Sequence, residues 1–426
     1  MGTRNHLIEQ AAQRRVTVAS RDFVYEKFSD FYSSPATIIP EISLLSQREL
    51  GFLLFKERVM LRHKSFESMN GLKRFLSDTV PSDVYHSCAY YENPEADMDK
   101  KGWLGADLVF DIDADHIPTP CDKIHDEWTC NKCGFSGKGI TPEACPICSG
   151  QKFDTKTWAC DLCLDAAKEE TTKLIDILEK DFGFSQQEMH VFFSGHRGYH
   201  VQIEKDTVKT LDSMARKEIV DYVTGLGLSI LDDEANDKRR KPRRSNIFSL
   251  HDFGWHKRLK LGLRRFLLQA TKEDLKNAGI KGSYAAFLEN REVLLKRCIE
   301  ENRWDSVRGI GVRTWIKIAK YVKDLESAKI DTVVTTDIHR LIRMNGTLHG
   351  KTGLKKVEFP VKDLENFDPL KEAVAFKEGT VKVSVSEAPE FRLGDDTMGP
   401  YKNQTVELPT AAAVLLICKG RAEVAK

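Results

Sequence analysis

The sequence predicts an α+β (mixed α/β) fold interrupted by two inserts. Three observations support this. Strand-like runs such as LVFDIDADH at residues 108–116 and MHVFFSGHRGYHVQI at 189–203 are interspersed with segments of helical period. Seven of the ten cysteines fall between Cys121 and Cys163. The stretch 207–325 is mostly helical in pattern. The expected organisation is an α/β core from 1–206 and 326–426, a metal-binding insert at 120–165 within it, and a mostly helical subdomain at 207–325.

In chain order, residues 1 to about 80 are mixed, with an amphipathic segment around QRELGFLLFKERVML. VYHSCAYYENPEADMDKKGWLGADLVFDIDADH reads as a strand, a polar loop with Pro94 and Gly102, and a second strand. The cysteine-rich region carries Gly, Pro and Lys and suits short loops and small hairpins. DAAKEETTKLIDILEKDFGF is helical by period: Leu174, Ile177, Leu178 and Phe182 recur three and four apart, and Gly183 stops it. MHVFFSGHRGYHVQI reads as two strands joined by a tight turn containing glycine. Beyond it, Leu211, Ala215, Ile219, Tyr222 and Leu226 make one apolar helical face, ended by Gly225 and Gly227. The basic run KRRKPRR at 238–244 lies in this region; as a charge run it reads first as a solvated loop and second as a phosphate contact. The tail is mixed again. No internal repeat or extended low-complexity segment is present.

Composition sets limits on function. With 426 residues, 41% hydrophobic and 30% charged, the chain has the make-up of a globular protein with room for two or three domains. A formal net charge of +1 excludes a global attraction to nucleic acid, so a polyanion must be held by local patches. The start, MGTRNHLIEQAAQRR, lacks the apolar stretch of a signal peptide, and His6 departs from the myristoylation pattern. The apolar run 411–418 is too short to span a bilayer. A cytoplasmic protein without a membrane partner is expected.

Asp111 and Asp113 stand two apart on a strand, so their side chains share a face, with α-carbons roughly 6.5 Å apart. Phe110 and Ile112 point the other way and can anchor it. Two carboxylates so placed repel unless a cation lies between them, and a divalent ion with oxygen ligands and open positions suits phosphoryl transfer. A lone D-x-D is more often a solvated edge. In FSGHRGYH, Ser194, His196, Arg197 and His200 surround Gly195 and Gly198, giving donors for phosphate oxygens. The alternative is a plain polar hairpin tip. HRLIRMNGTLHGKTG adds Arg340, Arg343, His349 and Lys351, preceded by Asp331 and Asp337. That order suits a metal–triphosphate site, and equally an amphipathic helix burying Leu341, Ile342 and Met344.

The cysteines are more specific. Cys130, Cys133, Cys145 and Cys148 form two C-x-x-C pairs eleven residues apart, the spacing of a closed zinc ribbon. Cys121, Cys160 and Cys163 are left for a second site, with His125 the natural fourth ligand. Four-ligand sites are closed, so zinc here folds the insert rather than reacting.

With these residues in place, the chain resembles the archaeo-eukaryotic primase family, in particular its archaeal-type small catalytic subunit. GWLGADLVFDIDADHIP, FSGHRGYHVQI and DTVVTTDIHRLIRMNGTLHGKTGL resemble the family's three active-site blocks in the family's order, and ENFDPL resembles part of its C-terminal region. The resemblance runs from about residue 84 to about 370. It implies a primase-type catalytic core with a mixed β-sheet, and a nucleotidyltransferase that starts RNA chains, with DNA an alternative product, during DNA replication. It implies Mg²⁺ or Mn²⁺ on Asp111, Asp113 and Asp331, with Asp337 the alternative third ligand. It implies nucleotide contacts from Ser194, Arg197, His200, Arg343, His349 and Lys351. His196 occupies a position that varies in the family. Cys121, His125, Cys160 and Cys163 match the family's zinc knuckle, and the ribbon Cys130–Cys148 is an addition to shorter members, making two structural Zn²⁺ ions. The implied partners are a large primase subunit with an iron–sulfur cluster, a single-stranded DNA template and nucleoside triphosphates. The apolar run 411–418 is a docking segment for that subunit or a last core strand.

Overall fold

The computed structural model describes residues 17–55, 59–228, 253–282, 284–301 and 310–425. The basic run at 238–244 lies outside them. Helix α1 (Val18–Ser33) comes first, its N-terminus capped by the Thr17 hydroxyl, which accepts from the Ser20 amide. Strands β1 (Leu50–Leu54) and β2 (Met60–Lys64), helix α2 (Met69–Thr79), and strands β3 (Pro81–Ser87), β4 (Ala89–Tyr91), β5 (Trp103–Ala106) and β6 (Leu108–Asp113) follow. The insert carries β7 (Glu127–Cys130), β8 (Ser136–Lys138) and β9 (Phe153–Lys156). Helix α3 (Asp161–Lys180) leads to β10 (Met189–Phe193) and β11 (Gly198–Ile203). The longer helices α4 (Ser213–Thr224), α5 (Gly254–Gln269) and α6 (Val312–Glu326) come next, with shorter helices between the last two. Helix α7 (Thr332–Thr336), β12 (Leu341–Arg343), β13 (Val357–Phe359), β14 (Thr380–Ala388), β15 (Phe391–Leu393), β16 (Asp396–Met398), β17 (Tyr401–Pro409), α8 (Thr410–Cys418) and β18 (Ala422–Val424) complete the chain.

These elements form two compact units: Met1–Thr171 with Gln186–Ser213 and Asp331–Lys426, and Thr172–Ser185 with Met214–Ile330. In the first unit, one four-stranded sheet has the order β12-β3-β1-β2 and a second has the order β13-β10-β11-β6. Every pairing among the described strands is antiparallel, where a mixed sheet was expected. β10 and β11, for example, are joined by a tight turn, which can link only antiparallel neighbours. QRELGFLLFKERVML contains β1 and the start of β2, so its apolar residues alternate on a sheet.

The apolar run near the C-terminus is helix α8, not a strand. Ala412, Ala413, Val414 and Leu416 are fully buried, and the helix packs on β14 and α1. A helix apolar all round belongs in a core, which removes it as a docking segment. No helix among the described residues is long and apolar enough to cross a membrane.

In the insert, β7 is flanked by β8 and β9, and Trp128 packs edge-on to Phe153 at 5.5 Å and against Phe135 at 5.9 Å. That is a small core, and the two cysteine sets supplement it. The ligand atoms of Cys121, His125, Cys160 and Cys163 lie within 4.8 Å of one another, as do those of Cys130, Cys133, Cys145 and Cys148. Either set can hold a tetrahedral metal ion. His125 Nδ1 lies 2.8 Å from Asp126 Oδ1, which leaves Nε2 facing Cys121 and Cys163 as a ligand.

The second unit is helical. Its core joins α5 and α6 through Leu263, Phe266, Leu267, Trp315, Ile318 and Val322. Helix α4 buries Arg216, Val220 and Val223 rather than the expected face, and Leu226 is left exposed. The buried set has the same helical spacing, rotated by one residue. Gly225 and Gly227 end α4 with φ of 66° and 72°.

One buried polar cluster ties the two four-stranded sheets. Arg48 Nη2 lies 2.7 Å from Asp107 Oδ2 with both side chains fully buried. Arg48 also donates to Ser43 O, Ser87 O and Tyr90 Oη, at 2.8, 2.8 and 2.7 Å. Asp107 accepts further from Tyr90 Oη at 2.7 Å and Gln202 Nε2 at 3.0 Å. Removing one partner strands the other charge. Arg48→Met is expected to destabilise the first unit by about 3–5 kcal/mol, with partial recovery in the Arg48→Met/Asp107→Asn double variant. Urea denaturation measures both, and a loss below about 1 kcal/mol would show the pair to be dispensable.

Candidate active site

The site starts from strand register. In the β6–β11 pairing, Asp111 stands opposite His200 and Asp113 opposite Gly198. Phe110 and Ile112 are fully buried on the other face, so the two carboxylates share the open one. A Cβ on Gly198 would lie 2.2 Å from Ile112 O, so only glycine lets the strands approach this closely. Gly195, with φ of 84°, makes the turn that carries Ser194 and His196 back over the sheet end.

A cavity of about 170 Å³ opens on this face. Asp111, Asp113, Ser194, His200, Arg343 and His349 line it, so all three motif segments quoted from the sequence meet there. His196, Tyr85 and Arg340 line it too. Tyr85 arrives because β12 pairs with β3 and places Arg343 opposite it, with the guanidinium 5.1 Å from the ring centre. Sequence reasoning missed Tyr85 because a lone tyrosine in an apolar strand carries no signal. Arg340 was visible in the basic strip.

The carboxylates are unequally supported. His200 Nε2 lies 3.3 Å from Asp111 Oδ1. Burial pushes Asp111 up, but His200 and then Arg340 and Lys356 outweigh it, leaving the carboxyl below its usual range. Burial, with Lys356 adding to it and Asp111 opposing it, holds His200 below the usual imidazole value. Burial raises Asp113, Arg197 opposes this, and Asp111 adds to it. A pair in which one carboxylate raises the other is a donor set that gains from a bound cation.

The basic side is pre-arranged. Arg343 donates to Asp83 Oδ1 at 2.5 Å, and it stays charged because Asp83 and Tyr85 outweigh the cost of burial. Nothing in the sequence marks Asp83 as its partner, 260 positions away. Lys356, buried with its Nζ on Arg343 O at 2.8 Å, is pushed down to about 7 by burial and by Arg343. His349 is held well below its usual value by burial and Arg343, and its Nδ1 accepts from the Lys351 amide at 3.1 Å. The neutral ring therefore carries its proton on Nε2, as a donor.

Three expected residues sit differently. Arg197 does not line the cavity. Its side chain is 1% exposed, with Nη1 2.8 Å from Asp126 Oδ2 and 3.0 Å from Trp158 O, Nε 3.7 Å from Asp113 Oδ1, and Nη2 on Asp115. The carboxylates around it take the fork that a phosphate would use. Asp115 thus serves Arg197 and not the cavity. Lys351 is exposed beside His349 and also stands off the cavity wall. Asp331 caps α7, its Oδ1 accepting from the Val333 amide at 2.9 Å, while its own amide donates to Asp111 O at 2.8 Å. It therefore borders the carboxylate strand through its backbone. Asp337 ends the same helix and accepts from the His339 amide at 3.0 Å.

A model of the DNA primase small subunit family matches residues 151–361. The chain is similar to archaeal proteins named DNA primase small subunit PriS. With that of Cenarchaeum symbiosum it is 33% identical over 402 residues, covering 94% of this chain and 97% of the relative. With that of Archaeoglobus fulgidus it is 33% identical over 404 residues, with 94% and 97% covered. With that of Methanococcoides burtonii it is 32% identical over 425 residues, again 94% and 97%. Similarity at this level along nearly the whole of both chains means that this protein belongs to the DNA primase small subunit family.

Proposed function

We propose that this chain is the catalytic subunit of a primase, joining nucleoside triphosphates into short primers on single-stranded DNA by metal-dependent nucleotidyl transfer. The observation that supports this most directly is the shared cavity: a same-face carboxylate pair on one wall, and Ser194, Arg340, Arg343 and His349 on the others. Bound Mg²⁺ or Mn²⁺ would lower the pKa of the attacking 3′-hydroxyl and offset charge on the leaving pyrophosphate. Asp111 and Asp113 would hold it, with His200 beside the first and Arg197 beside the second, and Asp331 would be the third carboxylate. Ser194 accepts from the His196 amide at 3.3 Å, which leaves its hydroxyl proton for a phosphate oxygen. Arg343 and the Nε2–H of His349 bind the phosphates, and Arg340 adds charge. Lys351 reaches the same phosphates from outside the wall. The relatives' description as a small subunit supports a large primase subunit as partner.

Labelled triphosphates, single-stranded DNA and Mg²⁺ or Mn²⁺ test the assignment. Template-dependent oligomers are expected from the wild type, and at least about 100-fold less from Asp111→Asn and Asp113→Asn. Undiminished synthesis by both variants would overturn the carboxylate assignment. Release of free phosphate without template would point instead to a phosphohydrolase.

For the insert, two zinc ions per chain are expected by elemental analysis, falling to one in Cys133→Ser and in Cys160→Ser, each with a lower thermal midpoint. A single ion in the wild type would remove one set as a zinc site.

A further inference from the structure

We infer that Lys419, just past helix α8, is a positioning residue for the triphosphate pocket, acting through His196 on His349. This rests on the nucleotidyl-transfer reading above.

Lys419 lies beyond both the family-matched segment and every motif singled out from sequence. It is 9% exposed, and its Nζ lies 2.8 Å from His196 Nε2. No carboxylate lies within 4.0 Å of that ammonium among the described residues. A buried lysine without a counter-ion is costly. Its cost is offset if the charge backs a pocket built for a polyanion, and the pocket in front of it holds Arg343 and Arg340. Burial, with Arg197 adding to it, pushes Lys419 down to about 7. In its ammonium form, which a bound polyanion favours, it only donates, so His196 Nε2 then accepts and the ring proton sits on Nδ1. Thr157 Oγ1 approaches the same nitrogen at 3.2 Å. The His196 ring then lies nearly parallel to that of His349, with centres 5.0 Å apart and planes at 18°. Both rings line the cavity. The plane of His349, and so the direction of its Nε2–H, is set from one side by the Lys351 amide and from the other by this stack. Two residues further on, Arg421 anchors the C-terminal turn, its Nη1 2.8 Å from Glu127 Oε1 in the insert.

The test is a double-mutant cycle read in template-directed synthesis. Lys419→Met is expected to raise KM for the triphosphate about 10-fold with kcat within about 3-fold, because ground-state phosphate binding is loosened. In a His196→Asn background it should add nothing, and Lys419→Arg should restore most of the affinity. A KM for Lys419→Met within about 2-fold of wild type, or additive effects in the cycle, would overturn the inference. Nitrogen NMR of the wild type is independent of mutant folding: His196 is expected as the neutral Nδ1–H tautomer, and an Nε2–H tautomer would also overturn it. Absence of synthesis by the wild type would instead overturn the nucleotidyl-transfer reading, and the tautomer would still test Lys419.

Discussion

The buried Arg48–Asp107 ion pair is the constraint on which the core depends. It stands where the segment before β1, the end of β3, the start of β6 and the last residues of β11 meet. A pair fully out of water survives only with nearly all of its hydrogen-bonding capacity used, and here Ser43, Ser87, Tyr90 and Gln202 use it. That requirement fixes the position of one sheet against the other. Asp107 is the residue before β6, so the cluster also sets where the carboxylate strand begins.

From that point, register does the rest. Antiparallel pairing puts His200 against Asp111 and a glycine against Asp113. Pairing of β12 with β3 brings Arg343 to Tyr85 and Asp83. The two sheets therefore supply opposite walls of one cavity, acidic on one side and basic on the other. Arg197 links this arrangement to the insert: it spans Asp113 and Asp126, and Asp126 also holds His125 of one cysteine set. Ordering of that set and orientation of Asp113 thus share a carboxylate.

Much of the site was legible because its parts are local. A strand of period two puts Asp111 and Asp113 together without any tertiary information, and two C-x-x-C pairs announce a metal ribbon through spacing alone. The hairpin around Gly195 and Gly198 was equally plain. Tyr85, Asp83 and Lys419 were not legible, because each reaches the site through a contact between distant segments. The phosphate role expected for Arg197 also met a tertiary fact: three aspartates surround it, two of them from the segment joining β6 to β7 and one from β6 itself.

The sequence by itself determined the chemistry available: paired carboxylates, glycine-flanked donors, a basic strip and two tetrahedral ligand sets. Such features repeat at spacings of two to four residues, within reach of one strand, turn or helix. Only the tertiary structure decided which groups face the cavity and which neutralise one another. That choice depends on sheet pairing, on burial, and on the need of every buried charge for a partner. For the same reason an apolar run near the C-terminus became a buried helix, and the lysine after it came to lie behind the two stacked histidines of the cavity.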